Sequence, residues 1–352
     1  MNVVDRRKME GLSLIELMIA MLISMFLLLG LVQVFSASRE AYRLSEGLSR
    51  VQENARFAMD YLQRDIRMAG HFGCVNDQAR LQTAGSLVSH PVAASLNFNV
   101  SIRGYDGAPP AADIPALTPT PLVGRDTLVL RFLSGNGIPV TTLAGNSISF
   151  NATKWNVLTA DGVANPVLLG IADCTSADVF AATTSAASGV TSPGAVVLGR
   201  YASSANPEGG PTMLYRAEAL VYYIANGAGG RPSLYRARIN AAGTGSTSEE
   251  LVEGVEDMQF RYGQGLLSAA GTPTGYVSSQ GTATDVGVAA VDWRRVGQVQ
   301  ISLLLGSPDR ASSVQAANPP MLFGVAAAVA ADGRYRSSYE TTVALRNRLY
   351  GN

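Results

Sequence analysis

From Leu12 to Phe35 the sequence holds a single ionisable residue, Glu16, in an otherwise apolar run. Read as a helix, these about 24 residues extend roughly 36 Å, enough to cross the hydrocarbon core of a bilayer. A carboxylate at mid-bilayer costs about 2.5–3.5 kcal/mol, so Glu16 needs either a shallow position or a partner. Arg6, Arg7 and Lys8 precede the run and no Lys or Arg lies within it, which keeps the N-terminus cytoplasmic.

The helical pattern continues past Phe35. Leu48, Val51, Ala55, Ala58, Leu62, Ile66 and Ala69 recur at steps of three and four, the mark of one apolar stripe. Charged residues fill the gaps, with Glu46 before Arg50 and Asp60 before Arg64 in the favourable acid-first order. Gly47 weakens the pattern by about 1 kcal/mol, and Gly70 and Gly73 end it. The spacing therefore predicts one helix from Leu12 to Ala69. Residues 12–35 form its membrane or filament-core half, and residues 36–69 form its amphipathic half, packed on a globular head of residues 70–352.

The front of the chain resembles the class III signal of type IV prepilins and pseudopilins. That signal joins a short basic leader, a glycine at the cut, an apolar helix and a glutamate at the fifth mature position. Here residues 1–11 supply the leader, Gly11 the glycine, Leu12 the first mature residue and Glu16 the fifth. Leu12 stands where family members usually carry Phe. The resemblance implies cutting between Gly11 and Leu12 and methylation of the Leu12 amine, both by a prepilin peptidase at the inner membrane. Gly11 suits such a site physically, being the most flexible residue and a poor helix former. Cutting creates an ammonium on Leu12, and Glu16 lies four residues on, along the same helical face. In a dry filament core, the Leu12 amine of a neighbouring subunit would supply the partner that Glu16 needs. A plain anchor or a secretory signal cut after Ser36-Ala37-Ser38 competes with this reading. A secretory apolar core, however, is only about 7–15 residues long.

The 352 residues suffice for a substantial core. Lys plus Arg and Asp plus Glu each total 27, so there is no basic footprint for nucleic acid. Under the topology above, Cys74 and Cys174 lie in the periplasm, where an isolated pair is expected to oxidise. Two unpaired buried thiols are the other possibility.

Beyond Gly70 the sequence reads as strands. Asp126 to Leu133, Ala195 to Tyr201, Met258 to Tyr262, Val299 to Leu305 and a last run through Val343 and Leu345 fit strands. Tyr215 to Ile224 and Ser233 to Ile239 fit a hairpin across Asn226 to Gly230. Leu251 to Asp257 fits a short helix or turn, and the low-complexity stretches Ala181 to Pro193 and Leu267 to Gly287 fit surface loops. Strand runs without regularly interposed helices favour an antiparallel sheet, giving an α+β fold with a long N-terminal helix on a β-rich head.

The body is also similar to the PilW-like minor pilins. The residues that carry this are Arg64 to Cys74, Asp173-Cys174, Tyr222-Tyr223-Ile224, Ser233 to Arg236, Leu251 to Met258 and Val343 to Arg348. The resemblance implies a minor pilin in a complex that primes pilus assembly, with adhesion and twitching motility as its context. Its partners would be other minor pilins and a large adhesin at the pilus tip. Before assembly the chain would cross the inner membrane once. A minor pseudopilin of type II secretion is the alternative within the class, and a membrane-anchored periplasmic binding module is the alternative outside it.

No catalytic residue, metal site or cofactor is expected. His71 and His90 show no ligand spacing, and there is neither a nucleophile elbow nor a phosphate loop. Gly135-Asn136-Gly137 and Gly263-Gln264-Gly265 read as turns. The acidic group Glu249, Glu250, Glu253, Glu256 and Asp257 reads as a solvated face, with a calcium or partner site as the other possibility. Tyr215, Tyr222, Tyr223 and Tyr235 read as strand packing.

Overall fold

In the computed structural model a single helix runs from Leu14 to Met68, about 82 Å at the standard rise per residue. The residues described are 13–75, 86–91, 93–206, 208–267, 273–311, 318–345 and 347. Ser13 opens the helix, its side-chain oxygen accepting from the Ile15 amide at 3.3 Å and its carbonyl from that of Leu17 at 3.1 Å. Gly70 and Gly73 close it as the pattern predicts. Both have positive φ, 77° and 73°, a backbone shape that glycine adopts without strain. The predicted stripe is buried from Val51 on, through Ala55, Ala58, Leu62, Ile66 and Ala69, while Leu48 is half-buried.

The chain divides into two compact units. One contains 1–50, 307–317 and 330–335. Within it Gly47 has a packing role that explains its presence in mid-helix. A Cβ there would sit 3.2 Å from that of Ala311 and 3.3 Å from that of Ser307. The other unit contains 51–306, 318–329 and 336–352 and holds most of the strands.

A twelve-stranded sheet and a four-stranded sheet make up its β-structure, with one further two-stranded pair. The axis of the larger sheet is Met213–Asn226, a strand of 14 residues. On one edge it pairs with Thr127–Leu133, and on the other with Pro232–Ile239 across the predicted hairpin. Its first residues pair with Leu168–Ala172. Alternation divides its faces. Ala217, Ala219, Val221, Tyr223 and Ala225 enter a core with Phe72, Phe98 and Tyr235, while Tyr222 faces the helix. Pairing in the larger sheet is antiparallel as expected among the described residues, apart from a short parallel contact of Leu87–Ser89 with the strand Ala177–Ala181.

Five sequence expectations are corrected. Leu251 to Asp257 is neither helix nor simple turn. It belongs to two strands, Ser246–Glu253 of the large sheet and Val255–Leu267 of the small one. Gly254, at φ 84°, makes the corner between them, and a Cβ there would lie 2.8 Å from the Gly306 carbonyl oxygen. Ala195 to Tyr201 contains a 3₁₀ turn at Leu198–Arg200, since the strand pattern follows Pro193-Gly194 and finds no neighbour to pair with. The stretch Ala181 to Pro193 includes the paired strands Thr184–Ala186 and Gly189–Thr191, because small polar residues suit a narrow hairpin. Gly263-Gln264-Gly265 lies inside a strand and marks a bulge, where a glycine accommodates the shift in register. In the second low-complexity stretch, Pro273–Gly281 is a strand, while 268–272 lie outside the described residues.

Candidate functional site

Gly11 and Leu12 lie outside the described residues. Glu16 sits in the first helical turn, where the helix dipole favours an anion, and it makes no ion pair among the described residues. From Leu14 to Phe35 every side chain is exposed. The most apolar stretch of the helix has a mean hydropathy of 2.6 and nothing covering it, so by length and composition it can cross a membrane.

Cys74 and Cys174 form a disulfide, tying the turn after the helix to the loop after Leu168–Ala172. Beside it His71 behaves as a helix-end residue. Its amide donates to the Met68 carbonyl at 2.9 Å, and its Nδ1 donates to the Leu133 carbonyl at 2.9 Å.

Between the helix and the large sheet lies a buried polar clamp. Asp65 is only 4% exposed. Tyr222 donates to its Oδ2 at 2.5 Å, Arg236 donates to the same oxygen at 3.0 Å, and Arg64 donates to Oδ1 at 3.1 Å. Arg236 also donates to Glu249 at 2.7 Å. Burial, then the neighbouring Asp65, push the Tyr222 hydroxyl well above its ordinary value, so it remains a donor. Burial works against the Arg236 charge, but Tyr222, Glu249 and Asp65 outweigh it and hold the guanidinium above its ordinary value. Asp65, Tyr222 and Arg236 all fall within the segments that carry the PilW resemblance, and the fold brings them together across 171 residues of sequence.

A second charged group lies on the same sheet face. Arg216 donates to Glu218 at 2.5 Å, to the carbonyls of Leu158 and Ala160, and to Asp161 at 2.9 Å. Arg238 donates to the other Glu218 oxygen at 2.8 Å. Sequence reasoning did not single out this group. Its signal was present, since Arg216 and Glu218 interrupt an apolar run two residues apart and so share one face of a strand.

The acidic group is not a plain solvated face. Glu249 pairs with Arg236, Glu253 with Arg231 at 2.9 Å and Glu256 with Arg336 at 2.6 Å, while Glu250 accepts from Tyr235 at 3.1 Å. Among the described residues no cluster of His, Cys, Asp or Glu has the arrangement to hold a metal. Tyr215, Tyr222, Tyr223 and Tyr235 are buried strand residues, as their pattern suggests. His90 contacts Asp178 at 2.6 Å, and Tyr201 donates to the second Asp178 oxygen at 2.6 Å.

Two family models match the chain. Residues 221–347 are similar to Type IV Pilus-assembly protein W, and residues 6–32 to the prokaryotic N-terminal methylation motif. The first includes the strands that supply Arg236 and Glu249, and the second includes Gly11, Leu12 and Glu16. No curated protein and no solved structure gives a match.

Proposed function

We propose, for a chain that is a PilW-like type IV pilin, that it serves as a minor pilin in the complex that initiates pilus assembly. The methylation motif and apolar helix fit an inner-membrane anchor whose head lies in the periplasm and later in the pilus. Both matches are to structural pilin-type models rather than to an enzyme family. A structural role without catalysis follows in our reading.

The observation that carries the proposal is the coincidence of motif and helix. Gly11, Leu12 and Glu16 fall inside the matched segment 6–32, directly ahead of or within a helix whose apolar run to Phe35 is wholly uncovered. Prepilin peptidase would cut after Gly11 and methylate Leu12. The new ammonium of one subunit then meets the Glu16 carboxylate of its neighbour in the filament core. Leaving that carboxylate unpaired in a dry environment costs several kcal/mol, so uncut chains are excluded from the polymer by their missing cation.

A scarce, initiating position suits the size of the head. Residues 70–352 repeated at every filament step would crowd one another, whereas one copy near the tip would not. Neighbours there would be other minor pilins and a large adhesin.

N-terminal sequencing of the membrane-extracted protein tests the central step. The expected first residue is Leu12, carrying a methyl group on its amine. A start at Met1 or Arg39 overturns the proposal. Abundance in sheared filaments tests the position, which requires far fewer copies than the major subunit.

A further inference from the structure

The sheet face that carries Tyr222 and Arg236 continues through Leu220 and Arg238, which are paired across neighbouring strands. Beside the last turns of the helix this face forms a cleft of about 270 Å³, reaching Arg64, Met68 and Phe132. A second cleft of about 430 Å³ is lined by Pro166, Val167, Leu168 and Ile239. Arg216, Glu218 and Arg238 line both, so the Arg238 guanidinium stands where the two meet.

The ions at the base of this junction are already matched. Arg216 reaches Glu218, Asp161 and two carbonyls, and Arg236 is held by Asp65 and Glu249. Arg238 differs. Its side chain is 32% exposed, yet it uses only Nε, and neither Nη group has a partner among the described residues. Arg64, on the rim at 62% exposed with its guanidinium over the Tyr61 ring, likewise hydrogen-bonds only through Nε among the described residues. Four arginines and three acids line the first cleft, and each acid is already engaged by an arginine. A carboxylate entering here meets unused N–H groups, and the end of a guanidinium binds one through two parallel hydrogen bonds. Val167, Leu168 and Ile239 in the second cleft suit a small apolar side chain next to that acid.

We infer that the joined clefts receive an extended acidic segment of a neighbouring subunit, its Asp or Glu side chain seated on Arg238 and Arg64. The identity of the segment as another subunit's rests on the pilin reading, whereas the binding chemistry does not.

Fluorescence anisotropy on the full-length protein in detergent micelles tests this. The probes are the labelled pentapeptide amide Ala-Val-Glu-Val-Ala and its counterpart with Gln in place of Glu. The Glu probe is expected to bind at least about tenfold more tightly, an advantage lost in both R238Q and R238K and weakened by salt. R238K keeps the charge but loses the planar fork, and circular dichroism establishes that each variant is folded. If neither variant folds, the decision rests on the wild-type protein, where a Glu advantage weakened by salt supports the site. Equal binding of the two probes by wild type, or a preference retained in folded R238K, overturns the inference. Displacement by millimolar acetate alone also overturns it, since that marks binding of any anion. Loss of the pilus role with the Glu preference intact would fault the filament reading and leave the binding site standing.

Discussion

Asp65 shows what one buried charge does when its partners come from elsewhere in the chain. It projects from the helix onto Tyr222 and Arg236, two residues that face each other across the central hairpin. Removing the carboxylate leaves the buried Tyr222 hydroxyl without its acceptor and takes from the Arg236 guanidinium one of its two acidic partners, Glu249 remaining. Asp65→Ala is therefore expected to destabilise the protein by about 1–3 kcal/mol, read by urea denaturation of the detergent-solubilised chain. A second buried carboxylate has the opposite character. Asp126 lies where the segment after Leu122 crosses between the two sheets, and its Oδ2 accepts from the Phe260 amide at 2.8 Å. Burial raises its carboxyl from 3.8 to about 7, helped by nearby Asp106 and Asp257; the Tyr262 ring also packs here. The folded state thus holds the proton more tightly than the unfolded chain. Its contribution is complete below about pH 4 and is lost as pH rises through about 7. D126N should accordingly melt higher than wild type at pH 8 and at the same temperature near pH 4. A difference independent of pH would exclude this titration as its cause.

At the scale of elements, the helix was the most legible part of the sequence. A stripe at steps of three and four, two terminal glycines and an apolar first half specify it locally, and nothing from the sheets is needed to read it. The hairpin through Tyr222 and Tyr235 was legible for the same reason, having glycine-rich turn chemistry between two apolar runs. Corners were not. At Gly254 one continuous run of strand-forming residues is shared between two sheets, a choice made by partners distant in sequence. The charged clamp was half visible. Arg64-Asp65, Tyr222 and Arg236 stood out as segments, but their meeting depends on how the helix lies over the hairpin. The Arg216–Glu218–Arg238 group was hidden inside what reads as apolar strand. The disulfide follows from compartment rather than pattern, and it joins the helix end to the sheet across a sequence separation of 100. A cross-link closing so long a loop chiefly restricts the unfolded chain. Cys74→Ser should cost about 2–5 kcal/mol, measured as the drop in denaturation free energy against the oxidised wild type. A variant as stable as wild type would mean that the helix end is held by packing and the Asp65 clamp alone.

For the whole molecule, the decisive charge is at the far end of the same helix from Asp65. The two carboxylates solve one electrostatic problem differently. Asp65 finds its cation within its own chain, whereas Glu16 pairs with none among the described residues, and in our proposal its cation comes from another subunit. If the Leu12 amine is that cation, processing and assembly separate cleanly by mutation. A bulky Gly11→Val blocks entry to the peptidase groove, so the uncut chain accumulates in the inner membrane and filaments lack it. Glu16→Ala leaves the cut intact, because the residues flanking the cleavage site are unchanged. It also leaves the N-terminal ammonium of the adjacent subunit without the carboxylate it would meet. With several kcal/mol at stake for an unpaired charge in a dry core, incorporation should fall by at least about tenfold. Immunoblots of sheared pili against membrane fractions measure this, and the size of the membrane-bound chain reports whether the leader was removed. Normal incorporation of a processed Glu16→Ala chain would show that the carboxylate is not what admits a subunit to the filament.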